Sequence, residues 1–145
     1  MKEMIQKKWQ EREGFTLAEL LIVVAIIAVL VAIAIPIFTA QLEKSRDTTT
    51  VANLRTAYAE AQASYLSEVA SNNDVTINKT NNKITSIAVK NVKAEGVQEG
   101  WEGNCNSDLP NGVTWNVDTM GGTAGNYTVT FTYAEDGTIT TSCAA

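Results

Sequence analysis

From Leu20 to Ile35 every residue is apolar, and no charged side chain occurs between Leu20 and Ala40. A helix made from this run has no polar face, so it must be buried in lipid or in protein. About 20 such residues rise roughly 30 Å, the thickness of a bilayer's hydrocarbon core. Residues 41 to 50 are polar and include Glu43, Lys44, Arg46 and Asp47. Glu43 and Asp47 form an unfavourable i,i+4 pair of like charge, which Arg46 offsets from i+3 of Glu43. Beyond them Val51, Leu54, Tyr58, Ala61, Tyr65 and Val69 recur every three or four residues, the spacing of one apolar helical face. Ser71-Asn72-Asn73-Asp74 reads as a stop. The pattern therefore predicts one helix from Phe15 to about Ala70, roughly 80 Å long. Pro36 lies inside it. With no N–H to donate, this proline either kinks the helix one turn back or ends it, and the helical pattern that resumes beyond it favours the kink.

The period changes after the stop. Val75-Thr76-Ile77 and Ile84 to Val89 predict two short strands around a polar turn at Asn78–Lys83. Lys90 to Asp108 reads as loop, with Trp101 as a local anchor. Val113, Trp115 and Val117 alternate with polar residues, as do Tyr127, Val129, Phe131 and Tyr133. Asp136-Gly137 is a tight-turn signal leading into Thr138 to Ser142. These features predict an α+β protein. An N-terminal hydrophobic helix (15–40) continues as an amphipathic helix (41–71), followed by a connecting region (72–112) and an antiparallel meander of about three strands (113–145). The meander's apolar face needs a cover, and the Val51–Val69 face supplies it.

Charge orients the chain. Residues 1–14 hold Lys2, Lys7, Lys8 and Arg12, whereas only Lys44 and Arg46 follow the apolar run closely. This bias places the N-terminus in the cytoplasm and the C-terminal part outside, as a single-pass anchor. The whole chain has a net charge of −5, and residues 1–14 take four of its eleven basic side chains but only three of its sixteen acidic ones. The remainder is thus more acidic still, which disfavours a general polyanion binder. A basic leader before an apolar stretch also describes an ordinary secretory signal, with Ala32-Ile33-Ala34 as its cleavage site. That reading leaves Glu19, at the head of the run, without a purpose.

Glu19 is the first candidate for function, because a carboxylate beside a lipid-like run is expensive unless something pairs with it. It could neutralise an amine on a neighbouring chain, or the amino terminus and dipole of its own helix. Cys105 and Cys143 could staple a small domain outside the cell; the alternative is two free thiols. With no histidine in the chain, imidazole catalysis and His-ligated metal sites are excluded. No cofactor or metal is expected, and no enzymatic constellation stands out. Asn78-Lys79-Thr80 and Asn126-Tyr127-Thr128 fit the N-glycosylation pattern, which is common by chance. Lys79, Lys83, Lys90 and Lys93 form a basic run that reads as a solvated loop, so direct nucleic-acid binding is not expected.

The segment Gly14-Phe15-Thr16-Leu17-Ala18-Glu19, with the apolar run to about Phe38, resembles the N-terminus of type IV prepilins. These are subunits of bacterial type IV pili and related secretion and DNA-uptake filaments. The resemblance implies that residues 1–14 are a leader removed by a membrane-embedded prepilin peptidase. The cut falls between Gly14 and Phe15, and Phe15 is then N-methylated. It puts Glu19 at the family's assembly glutamate and Pro36 at its helix-kinking proline. It implies a pilin fold whose C-terminal region is often stapled by a disulfide, here Cys105 to Cys143. The implied partners are like subunits in a homopolymer, the peptidase, the assembly machinery and the cytoplasmic membrane before export into an extracellular filament. A pseudopilin of a secretion or DNA-uptake apparatus shares these features. A binding domain that never polymerises would leave Glu19 unexplained.

Overall fold

The structure, a computed structural model, describes residues 14–98, 100–101 and 105–145, with the side chains at 105 and 106 outside that set. Helix α1 runs from Leu17 to Ser67 with Pro36 inside it, so the proline does not end the helix. Its N-terminal part is long and apolar enough to cross a membrane. The chain divides into two compact units, residues 1–38 and 39–145. In the first, every described side chain is exposed, including Leu20 to Phe38.

In the second unit, α1 packs one face on a sheet. Val51, Leu54, Ala57 and Ala61 are buried in a single core with Ile87, Val89, Val129 and Phe131. Tyr58 and Tyr65 flank that face, but Val69 lies past the helix and is exposed. The helix stops at Ser67 because Glu68 takes a left-handed conformation at φ 58°. Such a residue commonly closes a helix, though glycine is the usual occupant. The Ser64 hydroxyl then accepts the Ser71 N–H at 3.1 Å and turns the chain back.

Strands β1 (Val75–Thr80) and β2 (Lys83–Ala94) form a hairpin in which Thr80 pairs with Lys83. Only Asn81 and Asn82 make the turn, both with positive φ (52° and 63°). Two left-handed residues are what a type I′ turn needs, and asparagine tolerates that region. The strands thus reach further into the expected Asn78–Lys83 turn. β2 is also longer than its sequence predicts. Its pairing with β4 (Gly125–Tyr133) shifts between Val89 and Val92, where Asn91 has φ 59°. This bulge moves Val92 and Ala94 back onto the buried face, so part of the expected loop from Lys90 is strand.

β5 (Ile139–Ala144) pairs antiparallel with β4, across a turn in which Gly137 takes φ 86°. The Asp136 carboxylate accepts the Thr138 N–H at 3.0 Å and its hydroxyl at 2.7 Å. Between Val113 and Val117 the expected strand is cut to β3 (Val113–Thr114), which lies parallel to β5. Asn116 is the reason. Its N–H donates to Thr141 Oγ1 at 2.9 Å and its side-chain amide donates to Thr141 O at 3.0 Å, so a side chain replaces the next rung of the ladder. Trp115 turns to donate to Pro110 O at 3.0 Å. The result is a five-stranded, mostly antiparallel sheet, order β1-β2-β4-β5-β3, which departs from the expected antiparallel meander only at β3, parallel to β5.

Candidate functional site

The candidate site is the start of α1. Gly14 lies outside any helix or strand, and a Cβ built there would meet nothing within 4 Å. Nothing in the described fold of this chain therefore requires glycine at position 14. Phe15 is 84 % exposed. Thr16 and Glu19 bond reciprocally. The Thr16 N–H donates to Glu19 Oε2 at 2.7 Å, and the Glu19 N–H donates to Thr16 Oγ1 at 3.2 Å. The Leu20 N–H closes the first helical turn on Thr16 O at 3.2 Å. This is a capping box, which satisfies two helix-terminal donors at once. The Thr-x-x-Glu spacing that announces it is written in the sequence, and only Glu19 was singled out there. The box also bears on the two readings of Glu19. Its carboxylate folds back to the Thr16 amide, so an amine created at Phe15 would be one residue from a group Glu19 already accepts.

The helix that follows has an apolar face on every side, one stripe of it being Ile22, Ala25, Ile26, Val29 and Leu30. Pro36 leaves the Ala32 carbonyl without the usual i+4 donor. Residues 1–13 of the expected leader lie outside the described residues.

Cys143 is a free thiol, with Sγ 3.0 Å from Thr119 Oγ1 and 3.6 Å from Asn116 O. Cys105 begins a 3-10 turn (Cys105–Asp108), and its side chain is outside the described set, so the expected pairing falls there too. Three of the four lysines in the basic run face carboxylates: Lys79 meets Glu68 at 2.9 Å, Lys83 meets Glu135 at 3.6 Å, and Lys93 meets Glu95 at 2.5 Å. Hydrogen bonding and attraction from Lys79 hold the Glu68 carboxyl below the usual range. Among the described residues no group of three or more His, Cys, Asp or Glu side chains could hold a metal ion.

Residues 10–35 match the prokaryotic N-terminal methylation motif. No curated protein and no solved structure matches the chain. The motif agrees with the resemblance read from Gly14 to Phe38, and the long helix packed on a mostly antiparallel sheet is a pilin-like architecture. Together they support a type IV pilin-like or pseudopilin protein, processed by a prepilin peptidase and anchored in the membrane before assembly.

Proposed function

We propose that this chain is a structural subunit of a type IV pilus. A prepilin peptidase cuts between Gly14 and Phe15 and methylates Phe15. The subunit waits in the cytoplasmic membrane and is then drawn into an extracellular filament by its N-terminal helix. It works as a structural element and not as an enzyme. The observation that carries this reading is the run from Leu20 to Phe38, whose side chains bury nothing within their own unit yet begin with a carboxylate. Such a helix fits a lipid phase first and a core of like helices afterwards, where each Glu19 neutralises an amine at Phe15. Close packing of like helices is supported by the small residues Ala25, Ala28, Ala32 and Ala34.

The test is direct. Filaments sheared from the cell surface should contain this chain as a main component, with an intact mass that starts at N-methylated Phe15. A chain that starts at Ile35, or one that stays in the envelope while filaments form without it, would overturn the proposal.

A further inference from the structure

We propose that Glu43 is a latch that fastens the strap of residues 95–98 to α1, so that the strap opens as a local unit while the sheet stays folded. Glu43 and Asp47 are both fully buried, although the sequence places them in a polar stretch. Glu43 Oε1 accepts two successive backbone N–H groups, from Val97 at 2.6 Å and Gln98 at 2.9 Å. Its Oε2 accepts from Arg46 Nη1 at 3.3 Å. Thr50, about two turns further along, accepts the Glu95 N–H at 2.9 Å. The strap thus spends three consecutive-region N–H groups on helix side chains, at a place where β2 has already ended and no strand can take them.

Glycines set how close the strap comes. A Cβ on Gly96 would lie 2.5 Å from Gly121 O and 2.8 Å from Asp47 Oδ1. A Cβ on Gly121 would lie 2.8 Å from Gly100 O and 3.1 Å from the Trp101 ring. The strap is therefore wedged between the helix and the 3-10 turn Asp118–Gly121, with small residues at the points of contact. Its own side chains add little, since Val97 is 55 % exposed. The sheet residues behind it are of another kind: Val129 and Phe131 are fully buried and lie in paired strands. A segment held by polar bonds from few residues opens at lower free energy than a packed ladder. Losing Glu43 would take the acceptor from the Val97 and Gln98 N–H groups together.

Amide hydrogen exchange on the full-length protein in detergent micelles tests this. In the wild type, Val97 and Gln98 should exchange together, at least about tenfold faster than Val129 and Phe131, and with a weaker denaturant dependence. Exchange of all four amides at one rate would overturn the proposal without any mutation. In Glu43→Ala, protection of Val97 and Gln98 should fall by a further factor of about ten or more while Val129 and Phe131 keep theirs. Glu43→Gln retains an acceptor oxygen and should fall between the two. Unchanged protection at Val97 and Gln98 in Glu43→Ala, or equal losses in strap and sheet, would show that Glu43 is not a latch.

Discussion

At the scale of single residues, the capping seen at Glu19 and the amine neutralisation proposed for it can be separated. The capping box needs an acceptor at this position and works with glutamine as well as glutamate. Neutralising an amine needs the charge. Glu19→Gln should therefore leave the helix start intact but sharply reduce filaments in sheared fractions, whereas Glu19→Ala should lose the box as well as the filaments while subunits remain in the membrane. A normal filament yield from Glu19→Gln would assign the residue to capping alone. Gly96 is the second such position. Its missing side chain is what lets the strap reach Gly121 and Asp47, so Gly96→Ala should lower the amide protection of Val97 and Gln98 by about tenfold or more while Val129 and Phe131 keep theirs. The first of these residues was legible in the sequence as a lone carboxylate; the second was not, because glycine is a common loop residue and only the closeness of Gly121 makes it necessary.

At the scale of elements, the helix and β4 were legible because their apolar positions keep one period throughout: Val51, Leu54 and Ala61 on the helix, Tyr127, Val129 and Phe131 on the strand. β2 kept no single period. Buried residues fall at 84, 87, 89, 92 and 94, and each extra residue between them is absorbed by a register shift. β3 was cut short by a side-chain hydrogen bond from Asn116, which alternation does not reveal. The aromatic contacts between helix and sheet offer a pH test. Tyr65 stacks on Tyr133 with ring centres 4.3 Å apart. Burial, with smaller contributions from Tyr58 and Tyr65, pushes the Tyr133 phenol up to about 12. A raised phenol favours the folded state below the ordinary value near 10, and that contribution is lost as pH rises through the folded value. Unfolding by alkali should accordingly set in between about pH 10 and 12, followed by near-ultraviolet dichroism, and Tyr133→Phe should move it to higher pH. An unchanged onset in Tyr133→Phe would take Tyr133 out of the alkaline transition.

Cysteine pairing belongs to the same scale. A Cys105–Cys143 disulfide would close a loop of about 40 residues and contribute roughly 4 kcal/mol on the chain-entropy model. Oxidation outside the cell would have to convert the free Cys143 thiol, and non-reducing peptide mapping of protein taken from the cell surface should then recover the linked pair. Two alkylatable thiols would leave Cys143 as the hydrogen-bonded thiol seen beside Thr119.

For the whole molecule, charge predicts behaviour towards DNA. The chain is acidic and three of the four lysines in its basic run face carboxylates. Association with duplex DNA should be weak and should fall steeply with salt. Submicromolar binding that is lost when Lys79, Lys83, Lys90 and Lys93 become alanine would contradict this and favour a DNA-uptake role. The side chain of Asn116 has a consequence at this scale too. A sheet margin with open N–H and C=O groups is a template for any passing strand. Asn116 occupies that margin beside Thr141, and the opposite margin, β1, ends in Asn78-Lys79-Thr80. Polymers hold their subunits at very high local concentration, where free margins would zip neighbouring domains together in amyloid fashion. In a filament of the proposed kind, the Asn116 plug on one margin would let domains be crowded side by side and remain separate, leaving cohesion to the helices.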